Sequence, residues 1–200
     1  MDSKAKKGLN NHILRGKNPQ AAQMVSELRY DNHVIYFRGD ISALSGLQKQ
    51  IQVSLGEQVG LVNVDKGKLS EGELFAFDRI AIRSVQTADT VTSAAKVNGY
   101  SGDVQSFDPA LRNGEFVVKQ NEGEKLRIPV AMCGGNAESD MAAGMADAYK
   151  LEDPIVLDDK RQFETLIEFA DGETVTPSAN SKIWVEVLLI GIKTKVRANS

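Results

Sequence analysis

The side chains that could perform chemistry are few and widely separated. Histidine stands only at His12 and His33, and Cys133 is the single cysteine. A metal centre on two histidines would need further carboxylate or thiolate ligands at fixed spacing, and none accompanies them. Cys133, in Met132-Cys133-Gly134-Gly135, follows a strand-like run and precedes glycines, a turn on which a nucleophile could be displayed. It would need a base, and only His33 could serve. A buried thiol acting as a small hydrophobe is the simpler role. The acids Asp158-Asp159 and Glu122/Glu124 could hold calcium or act as an acid/base pair, but EF-hand spacing is missing and turns are naturally rich in such residues. The glycines do not form the G-x-x-x-x-G-K-[ST] phosphate loop. Trp184 could stack on a sugar or a base, yet it lies in a run apolar on both faces and reads as core, and Met141 and Met145 read as packing. The expectation is therefore a protein that is not an enzyme, with no cofactor, no metal and no small-molecule substrate.

Such a chain works through its surfaces, which turns attention to charge. The formal net charge is −3, too mild to mark nucleic acid or acidic lipid as a global partner. Its distribution is uneven: residues 1–17 carry Lys4, Lys6, Lys7, Arg15 and Lys17 against Asp2, a local +4 that leaves −7 on the remainder. Residues 1–17 are read as a basic N-terminal arm, a solvated tail in its plainest form and a contact for phosphate or membrane headgroups in its sharper one. One cysteine allows no intrachain disulfide, and the first residues lack the apolar stretch of a secretory signal. A soluble product of a reducing compartment is expected.

Composition, at 42% apolar and 26% charged, suits a globular protein with a real core. What dominates the pattern is alternation. Leu126, Ile128, Val130 and Met132, and again Phe163, Thr165, Ile167 and Phe169, recur at every second position with polar residues mostly between them, the mark of half-buried strands. Strands are expected over His33–Arg38, from Leu47 to Leu55, around Leu74–Ile82 with a bulge near Asp78, over Thr87–Val97, and over Lys182–Arg197 with both faces of its middle buried. Val59, Leu61 and Val64 continue the β character. Phe116–Gln120 and Lys125–Met132 flank Asn121-Glu122-Gly123-Glu124 as a hairpin with a four-residue loop, and Pro129, which cannot donate a ladder hydrogen bond, requires its strand to sit at an edge or carry a bulge. Asn18-Pro19 opens a helix of about ten residues by its capping geometry, and Ala137–Lys150 reads as a second. Gly191 marks a bend or a close approach of another chain. Asn98 to Gly114 holds four turn dipeptides and is the best boundary between halves.

The arm, the short helix, the many strands and the long apolar final run together resemble the double jelly-roll major capsid proteins of tailless icosahedral bacteriophages. The patterning that carries it is Leu74-Phe75-Ala76-Phe77-Asp78-Arg79-Ile80, Arg161-Gln162-Phe163-Glu164-Thr165-Leu166-Ile167 and Trp184-Val185-Glu186-Val187-Leu188-Leu189-Ile190-Gly191. The resemblance implies an all-β chain: an arm over 1–17, a first jelly roll with its helix over 18–100, and a second jelly roll over 101–200. A single elaborated jelly-roll sandwich is the alternative. It further implies a virion protein made in the host cytoplasm, assembling as trimers into pseudo-hexagonal capsomers beside minor capsid proteins. Lys4, Lys6, Lys7, Arg15 and Lys17 would then face an internal membrane or the genome. The competing function is a non-catalytic jelly-roll module that binds carbohydrate or a protein partner.

Overall fold

Two four-stranded antiparallel sheets face each other, and strands from both ends of the chain lie side by side in each. The computed structural model describes residues 4–15, 29–51, 56–134 and 148–195. Helix α1 (Lys4–Arg15) precedes β1 (Arg29–Asp40), β2 (Leu47–Ile51) and β3 (Glu73–Ala88). A four-residue helix α2 (Pro109–Arg112) leads into β4 (Glu115–Gln120), β5 (Gly123–Pro129), β6 (Tyr149–Asp158), β7 (Phe163–Glu168) and β8 (Ser181–Lys195). The sheet orders are β1-β8-β3-β6 and β2-β7-β4-β5.

Pairs 1·8, 2·7, 3·6 and 4·5 are those formed when one long hairpin is folded at the β4–β5 turn and rolled up. That wrap occurs once among the described residues. β1 pairs with β8 along its whole length, and the described strands form two facing sheets. Strands of the first and second halves thus share both sheets. The count fell because two β-rich segments are loops. Thr87–Val97 leaves β3 at Ala88 and turns into a 3-10 segment at Ala94–Lys96, while Val62 makes only isolated bridges, to Phe37 and to Gln58. Their apolar side chains still find burial: Val62 joins the central core, and Ala94 and Val97 cover Trp184. Burial of apolar area stabilises a loop as well as a strand, so β propensity alone miscounts.

Within the sandwich, Ile35, Phe75, Phe77, Phe116, Phe163, Ile167 and Leu189 are among the residues of one continuous core. β8 is central, between β1 and β3, and both its faces are buried as expected: Val185 and Leu189 face inward, while Trp184 and Glu186 on the other parity are only 4% and 3% exposed. Opposite Gly191 the register of β3 shifts between Phe77 and Arg79, the expected bulge. A Cβ on Gly191 would lie 2.0 Å from the Ala76 carbonyl oxygen, so the close approach here is that of β3 itself. Pro129 ends edge strand β5, as its missing N–H requires. The β4–β5 turn is tighter than expected: Asn121 and Glu122 alone form it, both at positive φ (51° and 64°), which suits the twist of a two-residue hairpin.

The solvated arm expected over 1–17 is, over Lys4–Arg15, a helix laid on the outer face of the first sheet. Leu9 is fully buried there with Ala76 and Ile192, flanked by Tyr30, Leu74 and Val156. Gly8 permits the docking, since a Cβ would come within 2.4 Å of the Pro154 ring on β6. The helix expected from Pro19 lies outside the described residues. So does that expected over Ala137–Lys150, except that Tyr149 and Lys150 open β6. Pro154 sits inside edge strand β6. No described helix is long and apolar enough to cross a membrane.

Candidate functional surface

Helix α1 carries the basic residues that the sequence singles out, and its position gives them a geometry. Lys4, Lys6 and Lys7 all lie in the first turn, where the helix dipole is positive and no acid offsets them. That placement opposes the macrodipole. The helix holds through burial of Leu9 instead, worth about 1.5–3 kcal/mol for a leucine. Lys6 places its ammonium 5.0 Å from the centre of the Tyr30 ring, and the Tyr30 hydroxyl donates to Asn10. Lys7 is exposed. Lys4 and Arg15 are the first and last residues of the helix, and Lys7 and Asn11, one turn apart, share a stripe away from Leu9. Four of the five predicted cations therefore belong to one docked helix. Lys17 lies outside the described residues.

The remaining candidates are dispersed over the fold. Cys133 is fully buried and burial pushes its thiol far above the ordinary range, so thiolate is suppressed. His33 is half-buried with its ring edge-on to Phe75 at 5.8 Å; burial, then the charge of Lys193, lowers its pKa below the usual value. His12 belongs to α1, on the other side of the sheet from that contact, and Trp184 donates its indole N–H to Thr87 Oγ1 at 3.1 Å within a covered cluster. The Asp158 carboxylate accepts from Lys160 N–H, and that of Asp159 from Gly72 N–H, which accounts for both as turn residues. Glu122 is an exposed turn residue, Glu124 is taken up by Arg127, and Met141 and Met145 lie outside the described residues. Among the described residues no group of three or more His, Cys, Asp or Glu could hold a metal ion.

Two polar clusters escaped sequence reasoning because cross-strand register creates them. On the outer face of the first sheet Arg38, Glu186 and Arg83 stand opposite one another on β1, β8 and β3. Glu186 accepts from Arg38 Nε at 2.7 Å and lies 3.4 Å from Arg83 Nη1. The Tyr100 ring lies 5.8 Å from the Arg38 guanidinium, and burial pushes its phenol up to about 12. On the second sheet Arg127 gathers Glu115, Glu124 and Glu168, the last at 2.9 Å, and these carboxylates hold the guanidinium above its ordinary pKa. The one available signal was a lone acid in an apolar run, Val185-Glu186-Val187, whose burial demands a cation opposite.

Exposed large apolar side chains are Leu47 (49%), Val59 (91%) and Met132 (46%). Leu47 begins edge strand β2, and Val59 tips the loop that pairs with β1 through Val62. The fold and these surfaces stand without outside guidance: no family model, no curated protein and no solved structure matches the chain.

Proposed function

We propose that the chain is a structural subunit of a virus shell, a single jelly roll that associates with copies of itself and keeps α1 on the interior side. The observation that carries the reading is the strand order, one rolled hairpin with β1-β8-β3-β6 over β2-β7-β4-β5, bearing a basic helix docked on one sheet. Packed sheets supply rigid walls while the loops at either end remain free to vary, which is the property a tiling subunit needs. Leu47 and Val59 give the β1/β2 flank apolar points for a lateral contact. With one sandwich per chain, a pseudo-hexagonal capsomer takes six copies rather than a trimer of double barrels. Each lysine of α1 held near an anionic surface contributes about 1 kcal/mol, enough in sum to tether but not to anchor. Neighbouring copies are the first partners on this reading, with minor capsid proteins and the enclosed membrane or genome as the others, and the virion is the location.

The carbohydrate-binding alternative would draw on an exposed aromatic platform, and Trp184, its best candidate, is buried. The deciding experiment is expression of the full chain followed by sedimentation velocity and negative-stain electron microscopy. Closed particles or hexagonal sheets are expected, and the paired change Leu47→Lys with Val59→Lys should abolish them while leaving the β-rich circular dichroism spectrum unchanged. A species that stays monomeric at high concentration across salt and pH sinks the reading.

A further inference from the structure

Where the β4–β5 turn, the β6–β7 connection and the turn at 65–68 meet, they enclose a concavity of about 520 Å³. Lys68, Lys119, Lys160 and Arg161 line it, together with the amides of Asn121 and Gln162; its acids are Glu122 and Glu164, and no apolar side chain contributes. Among the described residues none of the four cations makes an ion pair. Of the acids beside Lys160 in the chain, Asp158 is engaged by Lys160 N–H and Asp159 by Gly72 N–H.

The frame beneath is fixed. Gln120 Nε2 donates to the carbonyls of Asp158 and Arg161 at 3.2 and 3.3 Å, and Phe163 N–H donates to Gly67 O at 2.8 Å, so all three connections are tied to one another. We propose that this concavity binds the phosphodiester backbone of a nucleic-acid strand without reading its sequence. Unpaired cations with amide donors between them suit a row of phosphates, and the lack of aromatic or apolar lining leaves nothing for bases to stack on. The same lack, with the concave shape, disfavours a membrane surface, which is flat and is gripped by protruding apolar side chains. Arg161 also lines the neighbouring groove between α1 and β6 beside Lys7 and Lys125, extending the track toward the basic helix. Asp153 and Asp158 share that groove, so the excess positive charge is greatest in the first concavity. The site stands whether or not the chain builds a shell.

The test is fluorescence anisotropy of a labelled oligothymidylate titrated with the full chain over a salt series. Each lost phosphate contact on a single strand removes about 0.7 from the slope of log K against log salt, or about fivefold in affinity near 0.1 M. The combined variant K68Q/K160Q/R161Q, altering three exposed side chains, should therefore flatten the slope by about 2 and weaken binding roughly a hundredfold. The charge-retaining K68R/K160R should bind as the parent does, which separates loss of charge from loss of fold. Failure of the parent chain to bind at low salt, or a triple variant that binds unchanged while K6Q/K7Q does not, overturns the proposal. So does a triple variant that loses only its binding to phosphatidylserine vesicles, since the concavity would then serve lipid headgroups. None of these results depends on particle formation, so this proposal and the shell reading fail separately.

Discussion

Replacing Gly191 by alanine should weaken the fold more than any other single methyl group added to a glycine here. β8 carries hydrogen bonds to β1 on one side and β3 on the other, and Gly191 pairs with His33 and with Phe77 at the bulge. Its added Cβ would meet Ala76 O at 2.0 Å, Phe77 Cα at 2.5 Å and Ala76 C at 2.7 Å, all backbone atoms that no rotamer change can clear. Ordinary contact begins at 3.4 Å, so β3 must recede by 3.4 − 2.0 = 1.4 Å. A displacement of that size breaks the ladder bonds on either side of the bulge. Overpacking costs about 1–3 kcal/mol and two lost hydrogen bonds add about 0.5–1.5 kcal/mol each, giving roughly 2–6 kcal/mol. For a chain of this length 1 kcal/mol moves the midpoint by about 2–4 °C, so Tm should fall by at least about 4 °C and by as much as about 24 °C. Thermal and urea unfolding followed by Trp184 fluorescence and by circular dichroism would measure it. Gly172→Ala is the control: φ is +79° with no atom within 4 Å of the new Cβ, so only backbone strain of about 1–2 kcal/mol is added. If Gly191→Ala costs no more than the control, the close approach of β3 and β8 is wrong.

Thr165 is fully buried on the inner face of β7 with no partner for its hydroxyl, so Thr165→Val should raise stability by about 1–3 kcal/mol; a fall in the urea midpoint would contradict the packing. His33 has a pKa lowered by burial, so the folded state resists protonation: its contribution is whole above the unfolded value of about 6.5 and is lost as pH falls from there through the lowered folded value. His33→Phe keeps the ring against Phe75 and should flatten the dependence of Tm on pH in that window, whereas an unchanged slope would assign it to other groups. Leu9→Asp puts a charge where a buried leucine held α1 to the sheet, and should cost about 2–5 kcal/mol or release the helix. Increased binding of a hydrophobic dye at Ala76 and Ile192 reports the release, and no change in dye binding or stability would show that the helix is not docked.

How much could be read in advance depended on whether a signal was local. The bulge near Asp78, the two-sided burial of β8 and the edge position of Pro129 follow from parity and from the donor that proline lacks, and each is where the residues put it. The number of strands did not follow. Leu61–Val64 and Val91–Val97 have strand composition, yet they bury apolar side chains against Phe37 and Trp184 as loops, so counting β-rich runs overshot. Helix α1 was missed for the opposite reason. Its sequence is mostly polar, and the evidence for docking lies in Leu9 meeting Ala76 and Gly8 meeting Pro154, contacts more than sixty residues away in the chain. The cationic concavity was equally hidden, because Lys68 and Arg161 come from two separate connections and Lys119 from the end of β4, and none of them stands out in its own neighbourhood.

The pairing of β1 with β8 also sets a schedule for biosynthesis. β1 ends at Asp40 and the β8 residue paired with it is Trp184, so 184 − 40 = 144 further residues must be polymerised before that ladder can begin to close. At about 5–20 residues per second the ribosome takes roughly 7–30 s over that stretch, during which β1 has no strand partner beyond the bridge from Phe37 to Val62. The nascent polypeptide must be shielded, by a chaperone or by its own transient collapse, until β8 emerges and the sheet can zip from both sides at once.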